Sequence, residues 1–312
     1  MAHCSPKLIN SYNEWDQLKT CVVGSATHAN WPSADPVFAL EKYKTTWTSS
    51  PVPSGHVARH IVDESNEDLD TLAATLQSLG VEVIRPDEID FGYEGGMYNY
   101  CPRDRLLIAG DKIVDTAMMY PCRDMEINAL KEVTGRGPVL RMPRDQGLVL
   151  DAANVCRLND TLLFLESASG NVESAEWLMQ SLPNFKVETC NFYSGVHIDS
   201  TIVPIREGLV MLNGSRVNED NCPAVFRNWD KIWINDVVAQ DFYQYPYASK
   251  WIAMNLLVVN PSTVIIDKHQ TAIIDLLYKK YRVESIPLEL RHSRTLGGGF
   301  HCVTLDLLRT SV

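Results

Sequence analysis

The sequence predicts an α/β fold assembled from repeated ββαβ units whose leading loops gather around one axis. Three observations carry this. One pattern recurs: a polar or glycine-containing loop, a strand, a tight turn, a second strand, a helix and a third strand. The loops are marked by Asp104, Asp151, Asp199, Lys250 and Cys302, which lie 47, 48, 51 and 52 residues apart. Near-regular recurrence of a supersecondary unit signals a repeat architecture, and repeats set radially bring equivalent loops to a common centre. Finally, no low-complexity run or long linker divides the 312 residues, of which 45% are hydrophobic and 21% charged. That composition suits a globular chain with a sizeable core, read as one domain over residues 1–312.

The elements follow in order. Residues 20–23 form the first strand, and 30–55 are loop-like. A helix is expected over 67–79, because Leu69, Leu72, Ala73, Leu76 and Leu79 recur at helical spacing and Gly80 follows as a stop. Residues 81–84 alternate like a strand, and 91–102 are again loop-like. The unit opening at Asp104 has strands 106–109 and 113–116 and a helix over 124–134. The unit opening at Asp151 has strands 153–158 and 162–166, a helix over 173–181 and a strand over 186–190. The His197-Ile198-Asp199 loop leads to strands 200–205 and 209–213. The Lys250-Trp251 unit has strands 252–260 and 263–267, a helix over 271–280 and a strand over 283–287. The last loop, 296–302, feeds a strand over 303–308 whose expected partner is the first strand.

The net charge of −11 argues against nucleic acid or an anionic membrane surface as partner, since both require a basic face. It is compatible with a small cationic substrate. The apolar stretch 251–259 is far too short to span a bilayer, and residues 1–7 contain no apolar leader. A soluble, cytoplasmic protein is expected. Eight scattered cysteines (Cys4, Cys21, Cys101, Cys122, Cys156, Cys190, Cys222 and Cys302) form no C-x-x-C pair, which fits reduced thiols.

Chemistry concentrates in the loops. Cys302 follows Gly297-Gly298-Gly299-Phe300-His301. A glycine run lets the backbone pass close to a ligand, and a thiol there is a candidate nucleophile. A single cysteine is more often a buried structural thiol, but the glycines and the shared repeat position favour the nucleophile. His197 and Asp199, two apart at a strand start, would face one pocket. Asp104 and Asp151 each stand at a strand start, where aspartate is usually a turn residue. Together the loops supply a thiol, an imidazole and three carboxylates. His56 and His60 have the spacing of one helix face, but Val57 stands where a metalloprotease needs Glu and no third ligand is evident. They read as ordinary histidines, so no metal is expected. Neither a P-loop nor a dinucleotide fingerprint occurs, so no cofactor is expected.

The segment 296–302, with His197-Ile198-Asp199, Leu150-Asp151-Ala152-Ala153, Pro102-Arg103-Asp104 and the stretch from Ser249 to Asn255, resembles the amidinotransferase family. The likeness covers residues 12–308. It implies a five-bladed, pseudo-fivefold α/β propeller with the site on its axis. It also implies Cys302 as nucleophile, His197 as acid and base and Asp151 as its orienting carboxylate. By the same resemblance Asp104 and Asp199 hold the guanidinium, Arg216 pairs with the donor's carboxylate, and Ser249 with its predecessor Ala248 contacts the donor. Ala248 stands where members acting on glycine have Ser, and Asn154 where they have a second Asp. Ser194 and Val196 replace an Asn and a Met before the histidine, which bears on the acceptor.

The expected reaction moves an amidino group from arginine to an amine by ping-pong chemistry, releasing ornithine. A larger acceptor than glycine, in specialised metabolism, is favoured by the loop at Ser194 and Val196. Glycine as acceptor, a deiminase-type hydrolase on the same scaffold, and a non-enzymatic propeller are the alternatives. Expected partners are the small-molecule donor and acceptor, and a homodimer is the family-based expectation for assembly.

Overall fold

The computed structural model describes residues 8–32, 35, 53–192, 195 and 197–311. In chain order the strands begin with β1 (Gln17–Val23), the short pair β2 (Asn30–Trp31) and β3 (Gly55–His56), and β4 (Glu82–Ile84). Four triplets follow: β5 (Leu106–Ala109), β6 (Lys112–Asp115) and β7 (Val139–Arg141); β8 (Val155–Leu158), β9 (Thr161–Leu165) and β10 (Lys186–Cys190); β11 (Ile202–Arg206), β12 (Leu209–Asn213) and β13 (Asp230–Ile234); β14 (Leu257–Asn260), β15 (Thr263–Asp267) and β16 (Glu284–Leu288). The strand β17 (Thr304–Thr310) comes last.

Each triplet is one sheet, with its first two strands antiparallel and its third parallel to the second. The fifth sheet joins both ends of the described chain. There β1 pairs antiparallel with β17 and parallel with β4. The result is the five-bladed α/β propeller. In the middle strands β9 and β12 every residue is buried, which accounts for their near-continuous apolar runs.

The helix Arg59–Ser78 buries Ile61, Leu69, Leu72, Ala73 and Leu76 along one stripe. Gly80, at φ 78°, takes the left-handed conformation just past its end. It begins earlier than its apolar pattern suggests. His60 lies on it while His56 lies in β3, so the two do not share a helix face. Helices Val172–Ser181 and Thr271–Tyr281 cross between strands as expected.

Four expectations change. The strand over 153–158 shortens to β8, because Ala152–Asn154 forms a 3-10 turn. The helix over 124–134 is instead a 3-10 helix, Pro121–Ala129, followed by one α-turn, Lys131–Thr134. The strand over 252–260 opens as a 3-10 turn, Lys250–Met254, capped by the Ser249 hydroxyl, which accepts the Trp251 N–H at 3.3 Å. His197 and Asp199 precede β11 in a loop, and His197 has φ 58°. Their shared direction therefore comes from a turn and not from strand alternation.

Charged side chains tie the blades together at the axis. Arg157 on β8 donates to the Ile108 carbonyl on β5 at 3.3 Å and to Asp306 on β17 at 2.8 Å. Arg309 on β17 donates to Asp306 at 2.7 Å and to the Val258 carbonyl on β14 at 2.9 Å. Arg103 reaches the same carboxylate at 2.6 Å.

Candidate active site

Tight glycine packing delivers the cysteine. Gly297 has φ 83°, and a Cβ on Gly298 would stand 2.4 Å from Cys101 Sγ. A Cβ on Gly299 would stand 2.6 Å from Asn255 Cβ and 2.9 Å from the Asn255 carbonyl oxygen. Only glycine lets the loop run this close. Asn255 then fastens the next two residues: its Oδ1 accepts the N–H groups of His301 and Cys302, each at 3.0 Å. Its Nδ2 donates to the Asp199 carbonyl at 3.2 Å.

Cys302 is buried, and its Sγ donates to Asp199 Oδ2 at 3.2 Å. Burial, then the nearby Asp199, Cys101 and Asp104, push this thiol well above its ordinary pKa. The resting group is a thiol. Asp199 Oδ2 also accepts from His301 Nδ1 at 2.9 Å. Burial works against the Asp199 charge, but the hydrogen bond and positive charge of His301, with His197 and Asn255, hold its pKa down to about 2.

Across the site, His197 Nε2 lies 3.0 Å from Asp151 Oδ2, and Asp151 Oδ1 accepts the Met119 N–H at 2.9 Å. His197 Nδ1 faces Asp104 Oδ1 at 3.7 Å. Burial lowers the imidazole pKa, yet Asp104 and Asp151, with Asp199, raise it to about 9. The ring is thus protonated near neutral pH; Nε2 donates to Asp151, while Nδ1 faces Asp104 at charge-contact distance only. Its side chain keeps 16% exposure against 3% for Asp151, so it can meet a substrate while its partner cannot. The left-handed His197 backbone is a strained choice for a non-glycine residue. It is braced by the Ile198 N–H, which donates to the Ala153 carbonyl at 3.0 Å.

Arg123 fixes Asp104 from behind, donating to Oδ2 at 2.9 Å while gripping Glu126 through Nε at 2.7 Å and Nη2 at 2.9 Å. Asp104 Oδ1 is buried with no hydrogen-bond partner among the described residues. Burial raises the Asp104 pKa, opposed by His197 and Arg123. Arg216 donates to Thr201 at 2.7 Å, Ser200 at 3.3 Å and Ser249 at 3.4 Å. Ala248 donates its N–H to the Arg294 carbonyl at 3.0 Å and packs against the core that holds Cys302. Asn154 donates to Ser167 and Ser169. Ser194 and Val196 lie outside the described residues.

Cys302, Asp199, His197, Asp151 and Asp104 are therefore linked by hydrogen bonds and close charge contacts, and Arg216 touches Ser249. Asn255, His301, Arg123, Glu126 and Glu14 complete the arrangement without having been singled out as site residues. His301 and Asn255 sit inside family-like segments and were open to reading. Glu14 lies outside every repeat and gave no signal.

No family model matches the chain. Inosamine-phosphate amidinotransferase 1 of Streptomyces griseus is 39% identical, over 97% of this chain and 98% of its own length. The solved structure of inosamine-phosphate amidinotransferase from that organism superposes with a TM-score of 0.89 at 36% identity, covering 98% of each chain. This chain belongs to the amidinotransferase family. The amidinotransferase also matches L-arginine:L-lysine amidinotransferase of Pseudomonas savastanoi pv. phaseolicola, at 27% identity over 96% of this chain and 94% of the relative. DDAH from Pseudomonas aeruginosa shares the fold at 16% identity, with a TM-score of 0.66 over 93% of this chain and 99% of that one. The blade count, the enzyme class and the family all agree with the sequence reading. No helix among the described residues is long and apolar enough to cross a membrane.

Proposed function

We propose that this amidinotransferase moves the amidino group of L-arginine onto Cys302, releases ornithine, and passes the group to an acceptor amine of specialised metabolism. The observation that carries the reading is the pocket's charge. Three buried carboxylates, Asp104, Asp151 and Asp199, gather around His197 and the Cys302 thiol, and Asp104 Oδ1 has no hydrogen-bond partner among the described residues. A planar cation rich in N–H donors answers that deficit, and carboxylates hold guanidinium through paired charge-assisted bonds. The high identity to an inosamine-phosphate enzyme and the arginine-using relative support the acceptor class and the donor.

The guanidinium enters between Asp104 and Asp199, and Arg216 takes the donor's carboxylate. The substrate's positive charge offsets the two carboxylates that raise the Cys302 pKa, so the thiol releases its proton to solvent as the donor binds. Sγ attacks the guanidinium carbon and forms the C–S bond. His197, protonated and oriented by Asp151, gives its proton to the departing nitrogen as the C–N bond breaks. Neutral His197 then takes a proton from the incoming acceptor amine, whose nitrogen displaces the thiolate, and the thiolate regains a proton from solvent as the product leaves.

Intact-mass measurement after brief incubation with arginine and no acceptor tests this. The expected result is a gain of one amidino group, mapped to Cys302, with ornithine in solution and no gain in Cys302→Ala. Citrulline and ammonia without ornithine would make the protein a hydrolase instead.

A further inference from the structure

We propose that His301, held between Glu14 and Asp199, is a positioning residue that pins one oxygen of the Asp199 carboxylate and supplies its countercharge. The inference rests on the reading that Asp199 receives a guanidinium. His301 Nδ1 lies 2.9 Å from Asp199 Oδ2, and Nε2 lies 3.2 Å from Glu14 Oε2. With a carboxylate oxygen facing each nitrogen, the ring satisfies both only as imidazolium, which donates twice. Its backbone N–H is fastened to Asn255, so the ring has a fixed origin.

The charged groups around the pair come from four parts of the fold. Glu14, ahead of β1, accepts from Arg157 on β8 through the backbone N–H and Nε, each at 3.0 Å, and through Nη2 at 2.5 Å. Arg103, ahead of β5, stands 3.8 Å from the same carboxylate. Asp199 meets Cys302 and lies near His197. The ring, Glu14 and Asp199 line one cavity with Val155, Ile202 and Leu256, and both carboxylates are buried. A buried carboxylate without such a donor takes up a proton more readily than it stays charged.

Asp104 is built to the same plan. Arg123 occupies one of its oxygens and Glu126 backs Arg123. In both cases a cation, itself anchored by a second carboxylate, holds one oxygen and leaves the other for the substrate. Asp199 differs in that its cation is a histidine, itself the residue before Cys302.

The test compares alkylation of Cys302 by cationic chloroacetamidine with alkylation by neutral iodoacetamide, scored by peptide mass spectrometry. The ratio of the two rates reads the carboxylate grip without requiring turnover or arginine. In the native protein the amidine is preferred, and the preference holds as pH falls. In His301→Leu the preference is expected to fall roughly tenfold between about pH 8 and about pH 5, as Asp199 takes up a proton. His301→Gln, which keeps a donor without the charge, is expected to fall between the two, and it carries the test if His301→Leu does not fold. A preference in these variants with the native pH profile overturns the proposal, even if both rates drop uniformly. Absence of any preference in the native protein removes the guanidinium reading, and the proposal with it.

Discussion

His197 keeps its proton because carboxylates surround it, and that sets a testable pH limit. Its pKa stands at about 9, above the ordinary 6.5. On the proposed mechanism ornithine leaves with this proton, so the donor half-reaction should fall as pH rises past about 9. Asp151→Asn removes a hydrogen bond and a charge, so the alkaline fall should move to lower pH. Rapid-quench measurement of ornithine across the pH range checks this, and an unmoved limb would place the proton on another group. The same shift is a stability contribution, because the folded pKa is raised. It is fully present below 6.5 and is lost as pH climbs through about 9. At this scale the sequence is most readable in the family-like loops, whose Cys302, His197, Asp151, Asp104 and Asp199 the fold brings together. Glu14, Arg123 and Glu126 escaped notice because their role depends on which distant carboxylate or imidazole they meet.

The elements around the site are bent to present side chains, and local pattern misread them for that reason. In a 3-10 helix side chains three apart lie on one line. The turn Pro121–Ala129 therefore sets Arg123 and Glu126 together and buries both beside Asp104, where the sequence reading places a helix over 124–134. The turn Lys250–Met254 likewise brings Asn255 under the nucleophile loop. Strands away from the site, such as β5, β10, β12 and β15, kept the bounds their apolar runs gave. Gly299→Ala tests the coupling between the two loops. Its methyl would overlap Asn255, and overpacking of this kind costs about 1–3 kcal/mol. Calorimetry should show a lower Tm, and the arginine adduct should form more slowly. A variant matching the native protein in both would mean that the loops are not tightly coupled.

Across the whole molecule, one buried carboxylate holds three guanidinium groups. Asp306 accepts from Arg103, Arg157 and Arg309, with Ser11 as a further donor at 2.8 Å. Removing one partner from a buried ionic cluster leaves uncompensated charge and costs about 3–5 kcal/mol. Asp306→Asn should therefore lower the denaturation midpoint by that equivalent in urea titration, and a midpoint within error of the native one would deny the cluster its structural role. The pairing of the first and last strands was legible, since a final unit lacking a partner needs one from the other end of the chain. The axial cluster was not, because an arginine inside an apolar strand gives no sign of which blade it will reach.

Closure of the ring by β1 and β17 also orders the protein's birth. Cys302, the proposed nucleophile, stands two residues ahead of β17 and leaves the ribosome after His197, Asp151, Asp104 and Asp199. Until that last strand docks beside the first, the carboxylates and imidazole of the pocket lack the Cys302 thiol. On the proposed mechanism a half-made chain is therefore chemically silent, and Cys302 reaches its place as the ring of blades closes.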